Sequence, residues 1–383
     1  MITHLKLGIH RKVGINPKLI SIITGKAFSE VEPNPRIEWL PSNYAQGIAN
    51  YMKSSVDYSK ILCYKLTCTQ CGHSDNYDLG MIAYYNEEQS KNELEDAIQD
   101  KTGKKELSLP SNLQFGGYFR CYHCNAAGSW KISHDTLCKL AIDVMEGIMS
   151  TPPKIDTFNR PKVMYGKMVS EDGHYYTWMT DYEEQSLKRL SQNPTDAMTW
   201  HRLANVYFWG GRPDLGAVAY ERSIQLDSKN MESHFSLGQI LLGNGARDAG
   251  IRHLRITLMT AHTYTYILPV YMRDLLMKTL SILMEEAEND EQFVEWLPLR
   301  EEIEAYCGGV YDLSRIPGEM SELIIDINTE DKTSLIPIAE MYMGKWSGKL
   351  LAKERSNKLT MSVLHPKKKK PSKKPKQKKA QKK

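Results

Sequence analysis

No run of 18 consecutive apolar residues occurs in this 383-residue chain, so no helix that crosses a bilayer is expected. A secretory leader is not expected either. Residues 1–14 alternate His, Lys and Arg with short apolar pairs and never build the continuous apolar stretch that a leader needs. Cysteine is scarce: seven are present, four in two Cys-x-x-Cys units and three dispersed. That distribution does not suggest a disulfide framework and suits a reducing, cytoplasmic compartment. The short signatures of common catalysis are also missing. There is no glycine-rich phosphate loop, no dinucleotide glycine pattern, no His-Glu-x-x-His helix and no nucleophile elbow. His174 with Asp181, or Asp172 with His174, could act as acid and base, but isolated polar residues in a connecting segment are usually solvated. The expectation is a protein that is not an enzyme.

What is present is a repeat. Residues 200–228 and 234–262 align at a lag of 34, and a period of that length is the mark of a repeated helical hairpin. At that lag Leu203 recurs as Leu237, Ala204 as Gly238, Tyr207 as Leu241, Gly211 as Gly245, Asp214 as Asp248, Gly216 as Gly250, and Tyr220 as Leu254. Within each copy the positions Trp200, Leu203, Ala204, Tyr207, and then His234, Leu237, Gly238, Leu241, fall on one helical face. A glycine-bearing turn follows, and a second helix begins after it.

The pattern resembles a tetratricopeptide repeat. The first copy matches that family at Trp200, Leu203, Ala204, Tyr207, Gly216 and Tyr220, although Ser228 stands in the place of the closing proline. The second copy has His234 in the Trp place and Leu241 in the Tyr place. Because roughly three such units are needed for a stable core, flanking segments are expected to cap the pair. These are a half-repeat over 181–192 and a degenerate third hairpin over 266–288 and 291–306. The resemblance implies a groove for a protein or peptide partner, lined by His201, Asn205 and Phe208 in one copy and Phe235, Gln239 and Leu242 in the other. The competing reading of the apolar members is packing against a neighbouring helix. A carboxylate clamp is disfavoured, since His201 replaces the expected lysine and Ser236 and Gln239 carry no charge.

The second feature is a pair of knuckles, Cys68-Thr69-Gln70-Cys71-Gly72 and Cys121-Tyr122-His123-Cys124-Asn125. Two thiolates spaced this way can face one ion, and four can close a tetrahedral site for structural Zn2+ that leaves no open coordination position. Flanking strand-like runs at 61–66, 77–85, 114–120 and 129–133 make the arrangement similar to a zinc ribbon. The departure is the gap: 49 residues lie between Cys71 and Cys121, against about 15 to 20 in the usual spacing. An insertion containing a helix over 87–101 is expected there. A redox dithiol and unpaired structural cysteines are the alternatives. Cys63 and Cys138 read as small buried residues, Cys307 lies far away in the helical part, and His73, His123 and His134 read as surface groups or groups behind the ligands. His134 with Cys138, one turn apart, reads as ordinary helix packing.

The third feature is a lysine tail. Residues 366–383 hold 11 lysines and no acid, so the remainder carries 39 basic and 46 acidic side chains, or −7. With three prolines and no large apolar residue, this stretch cannot build a core and is expected to be disordered. Lys367, Lys368, Lys369, Lys370, Lys373, Lys374, Lys376, Lys378 and Lys379 would attract polyanions by counterion release, without the aromatics that stack on bases. A solubilising role is the alternative.

These features give an α+β multidomain protein: a small β-rich zinc ribbon with an insertion, then an all-α solenoid resembling tetratricopeptide repeats, then the disordered tail. The expected divisions are a mixed segment 1–55, the ribbon 56–150, a linker 151–179, the repeats 180–309, a closing segment 310–364 and the tail 365–383. The closing segment should hold a strand over 323–327 and a helix over 335–346. The functional expectation is a cytoplasmic adaptor that binds a protein or peptide partner through its repeats. Its tail would make nonspecific contact with nucleic acid or the ribosome, and no membrane is involved. The alternative is a regulator whose zinc ribbon itself touches nucleic acid while the repeats sense a peptide.

Overall fold

A computed structural model describes residues 14–55, 63–85, 112–149, 163–170, 173–309, 313, 316–318 and 332–351. The insertion helix expected over 87–101, the strand over 323–327 and the lysine tail lie outside the described residues. Those described form a mixed structure of two three-stranded sheets and twelve α-helices. Contacts divide the chain into two units, Met1–Thr257 and Leu258–Lys383.

The first unit opens with α1, Pro17–Thr24, whose N-terminus is capped by Asn16 and which ends at Gly25 in the left-handed region. Helix α2, Ala45–Ser55, starts where the amides of Tyr44 and Ala45 donate to Ser42 Oγ. Six strands follow: β1 Cys63–Cys68, β2 Ser74–Asp78, β3 Ile82–Tyr84, β4 Leu113–Phe115, β5 Trp130–Ile132 and, after helix α3 (His134–Met149), β6 Val163–Tyr165. One sheet has the order β2-β1-β5 and is antiparallel throughout. The other has the order β4-β3-β6, with β3 antiparallel to β4 and parallel to β6. The strand expected over 77–85 is therefore two strands in two sheets. They part at Gly80, where a Cβ would stand 2.5 Å from the amide nitrogen of Gly117, so the backbones cross where no side chain fits. The core between the sheets and α3 gathers Tyr64, Leu66, Tyr77, Leu79, Phe115, Leu137 and Leu140.

Five helices complete the unit: α4 Met179–Gln192, α5 Ala197–Trp209, α6 Pro213–Leu226, α7 Met231–Gly243 and α8 Arg247–Thr260, the last running past the boundary at Thr257. Helices α5 and α7 start and stop 34 residues apart, and so do α6 and α8. The period holds at the level of single hydrogen bonds. Asp196 caps α5 by accepting from the Thr199 amide, and Asn230 caps α7 by accepting from Ser233. In the two turns Arg212 N donates to Tyr207 O, and Ala246 N to Leu241 O. Glycine is needed where α7 meets α8, because a Cβ at Gly250 would come within 3.0 Å of Gly238 O and 2.7 Å of Leu242. Helix α4 sits 34 residues before α6, so it takes the place of a second helix whose hairpin partner would fall at 163–175. Of that stretch, Val163–Tyr165 form β6, and the described residues 166–170 and 173–175 are irregular.

Described residues between 15 and 52 share this core. Leu19, Ile48 and Met52 are buried in one cluster with Leu187, Trp200, Leu203, Tyr207 and Tyr220. In the second unit, α9 (Pro269–Glu286) is followed by α10 (Asp290–Glu295) and α11 (Arg300–Cys307). The helix expected over 291–306 is thus broken, at Pro298, whose ring cannot continue a helical ladder. Helix α12, Ile336–Tyr342, continues as a 3-10 turn over Gly344–Lys349. Within this unit Tyr342 donates to Pro298 O and Trp346 Nε1 to His262 O.

A histidine pair, His234 buried and His253 half-buried, sits between α7 and α8. His234 Nε2 donates to Ser228 O, which leaves its Nδ1 to accept from His253 Nδ1 at 2.8 Å. Both rings are neutral in this arrangement. Burial lowers the His234 pKa to about 3, with His253 adding to the effect, and burial beside Arg252 lowers that of His253 to about 4. A folded-state pKa below the unfolded value means that the unfolded chain binds more protons between the two. Stability is then complete above about pH 6.5 and falls as pH drops toward 4, by ~1.4 kcal/mol per pH unit per group. Denaturant titrations of the wild type should show that slope, and His253→Gln should flatten it. An unchanged slope in the variant would dissociate the pair from acid sensitivity.

Candidate metal centre

The two knuckles are copies of one another in backbone geometry. In the first, the amide of Cys68 donates to His73 O and that of Gly72 to Cys68 O; in the second, Cys121 donates to Ala126 O and Asn125 to Cys121 O. The residue after the second cysteine of each pair is left-handed, with Gly72 at φ 73° and Asn125 at φ 59°. This is the turn that returns the chain with both sulfurs on one side, and Gly and Asn tolerate it best. The first knuckle is the connection from β1 to β2, and the second leads into β5, which pairs with β1. Sheet pairing therefore brings together cysteines that lie 50 or more positions apart.

The four sulfurs all lie within 4.8 Å of one another. Cys68 Sγ is 3.7 Å from Cys124 Sγ, and Cys71 Sγ is 3.7 Å from Cys121 Sγ. A tetrahedron with zinc–sulfur bonds of 2.3 Å has edges of about 3.8 Å. Disulfides would need about 2.0 Å. The quartet thus fits a tetrahedral metal ion with thiolate preference, such as zinc. Cys68 and Cys121 are buried, while Cys71 is exposed. Backbone amides point at the sulfurs: those of Cys71 and Gln70 at Cys68, those of Cys124 and His123 at Cys121, and that of Ala126 at Cys124. Burial raises the thiols of Cys68 and Cys124, the latter to about 12, whereas at Cys121 the amides and neighbouring thiols outweigh burial and bring it down to about 7. Donors aimed at sulfur favour the thiolate form that a metal requires.

Among the described residues no other group of three or more His, Cys, Asp or Glu has this geometry. His73 and His123, both exposed, stack on each other at 5.2 Å. Cys138 Sγ lies 3.7 Å from His134 Nδ1 along α3, and Cys63 and Cys138 are half-buried, less covered than packing residues need to be. Cys307 is buried in the second unit and donates to Met259 O.

Sequence reasoning missed the group that fixes the second knuckle. Glu183, on α4, has no exposed surface. Its Oε1 accepts from the hydroxyls of Tyr118 at 2.8 Å and Tyr207 at 2.7 Å, and its Oε2 accepts from Arg120 Nη1 at 3.0 Å and Asn16 Nδ2 at 3.1 Å. Arg120 Nε in turn donates to the carbonyl and side-chain oxygens of Asn125, whose Nδ2 donates to Ile15 O and Pro33 O. Burial first, and then the carboxylate, push both tyrosines well above their ordinary pKa, so they remain donors. The one available signal was a glutamate at the head of the apolar stripe that continues through Leu187 and Leu190.

The six inner-face residues divide. His201 is buried, with Nδ1 on Ser233 Oγ and Nε2 accepting from Asn205 Nδ2, and burial lowers its pKa to about 4. Phe208 and Leu242 lie over Gly216 and Gly250, inside their own hairpins. His201 is thereby enclosed, whereas Phe208 and Leu242 remain half-buried. Asn205 lines a cavity described below, and Phe235 and Gln239 are half-buried. The tail lysines expected to meet polyanions lie outside the described residues. No described helix is long and apolar enough to cross a membrane.

Two outcomes follow from this geometry. Purified protein should carry about one zinc per chain by elemental analysis, and Cys68→Ser or Cys121→Ser should abolish it while most far-ultraviolet helicity persists. Metal-free protein of equal stability would rule the centre out. Glu183→Ala should cost about 3–5 kcal/mol in chemical denaturation, because Arg120 would be left buried without its partner, and Glu183→Met with Arg120→Met should recover part of that. A loss below about 1 kcal/mol would show that the carboxylate is not a structural hub.

None of the family models, curated proteins or solved structures compared with this chain matches it.

Proposed function

We propose that this protein is a non-enzymatic adaptor whose helical hairpins are tetratricopeptide-like and bind a protein or peptide partner. In this reading the four cysteines form a zinc-ribbon-like structural centre, and the lysine tail supplies contact with nucleic acid or the ribosome. The observation that carries it is the 34-residue period, which recurs in helix bounds, caps and turn hydrogen bonds across α4 to α8. Repeated hairpins that stack only on their neighbours are built to present extended surface. The cysteine quartet supports a structural role for its metal, since four protein ligands leave no position for a substrate. A body of −7 with a tail of +11 supports electrostatic tethering through the tail.

The test is affinity capture of the full chain with and without nuclease, beside a chain ending at residue 365. A protein partner that survives nuclease and persists without the tail is expected, together with nucleic acid that disappears when the tail is removed. Nucleic acid retained in salt by the shortened chain would favour the regulator reading, in which the cysteine module does the binding. Absence of any nuclease-resistant partner would overturn the adaptor.

A further inference from the structure

A cavity of about 270 Å³ opens in the first unit where the repeat is interrupted. Extended by one period, the hairpin series would place a helix at 163–175, against the inner side of α5. In its place the chain makes β6 and an irregular loop, and the face of α5 bearing Arg202, Val206 and Trp209 borders open space. Across from it stand Phe115 and Met81 of the β4-β3-β6 sheet region, and Met168 and Trp178 of the loop.

The cavity is held open by its own framework. Gln114, buried beside Phe115, donates from Nε2 to Met168 O at 2.8 Å and to Tyr176 O at 3.1 Å, and its Oε1 accepts from Met168 N at 2.7 Å. Phe115 N donates to Thr177 O, and its ring stacks on Trp178 at 4.6 Å. On the α5 side, Asn205 is fixed by His201 and by the hydroxyl of Tyr220. Three walls are therefore set before any ligand arrives, which lowers the ordering cost of binding.

The lining chemistry narrows the ligand. Aromatic and thioether side chains, including the phenols of Tyr176 and Tyr182, make up most of it, and these suit a flat apolar body. Among the described lining residues Arg202 is the one charged side chain, and none is acidic. Arginine carries five donors, so it can receive a carboxylate in addition to contacts it already makes. The volume lies near the lower end of small-molecule sites, about 300 Å³. We propose that this cavity binds a small aromatic carboxylate of one or two rings, with the ring between Trp178 and Trp209 and the carboxylate on Arg202. Such a site goes beyond partner binding by the hairpins.

Isothermal titration of the full chain with indole-3-acetate, 1-naphthoate and phenylacetate tests this, with indole-3-acetamide as the uncharged match. At least one carboxylate should bind below about 1 mM, and indole-3-acetate should exceed its amide by about tenfold. Arg202→Met should erase that preference while leaving the amide's affinity unchanged. Arg202→Lys should restore part of it, and Trp209→Ala should weaken both ligands. Thermal unfolding without ligand checks that each variant is folded. Failure of all three carboxylates to bind, or a carboxylate preference that survives Arg202→Met, would overturn the site. Neither result touches the adaptor reading, which is decided by nuclease-resistant capture.

Discussion

A carboxylate removed from water must have its charge and lone pairs answered by the protein, or the fold would be disfavoured by several kcal/mol. Glu183 meets that demand with four donors drawn from three distant stretches of chain: Asn16, the pair Tyr118 and Arg120, and Tyr207. No one of these stretches can satisfy it alone. The consequence is geometric. Arg120 is held at a fixed place, Asn125 is held by Arg120, and Asn125 is the left-handed residue that closes the second cysteine knuckle. A second pair repeats the device nearby, where Arg212 makes a two-point contact with Asp214 while donating to Gly14 O. The buried ion pairs of this unit thus link the amino-terminal segment, the cysteine quartet and the hairpins.

The hairpins obey a strict period, and the most informative place is where it stops. Helices α4, α6 and α8 keep the spacing of second helices, whereas the first helix that should precede α4 is replaced by β6 and a loop. Strand β6 pairs with β3, so a segment that would have closed the helical stack is committed to the sheet. This accounts for the cavity beside α5 and for the half-exposed indole of Trp209, which packs on Phe208 and is 52% exposed. It also shows why an end of a repeat array is a natural place for a site: packing that neighbours normally complete is left unfinished there.

The buried polar groups on α5 and α7 illustrate how these hairpins differ from a uniformly apolar stack. His201, Ser233 and Ser223 form a hydrogen-bonded chain that ends on Ala197 O, and His234 pairs with His253. Each hydrogen bond requires a particular neighbour, so such networks select one register between adjacent hairpins. They also keep His201 out of contact with any partner, since both of its ring nitrogens are engaged within the unit.

Read by itself, the sequence determined those features that depend on local or periodic chemistry. The 34-residue period, the apolar face of each helix, the glycines at the α7–α8 approach and the two Cys-x-x-Cys turns were all legible, because helix geometry and turn conformation act over a few residues. The insertion between the knuckles was legible only as a gap. Tertiary structure alone decided that Cys68 and Cys124 would come within 3.7 Å, since β1 and β5 must pair before sulfurs so far apart in the chain can meet. It alone decided that Glu183 would be a hub, that His201 would be buried, and that 77–85 would split between two sheets. These outcomes depend on which surfaces from remote segments arrive opposite one another, and periodicity along one segment carries no record of that.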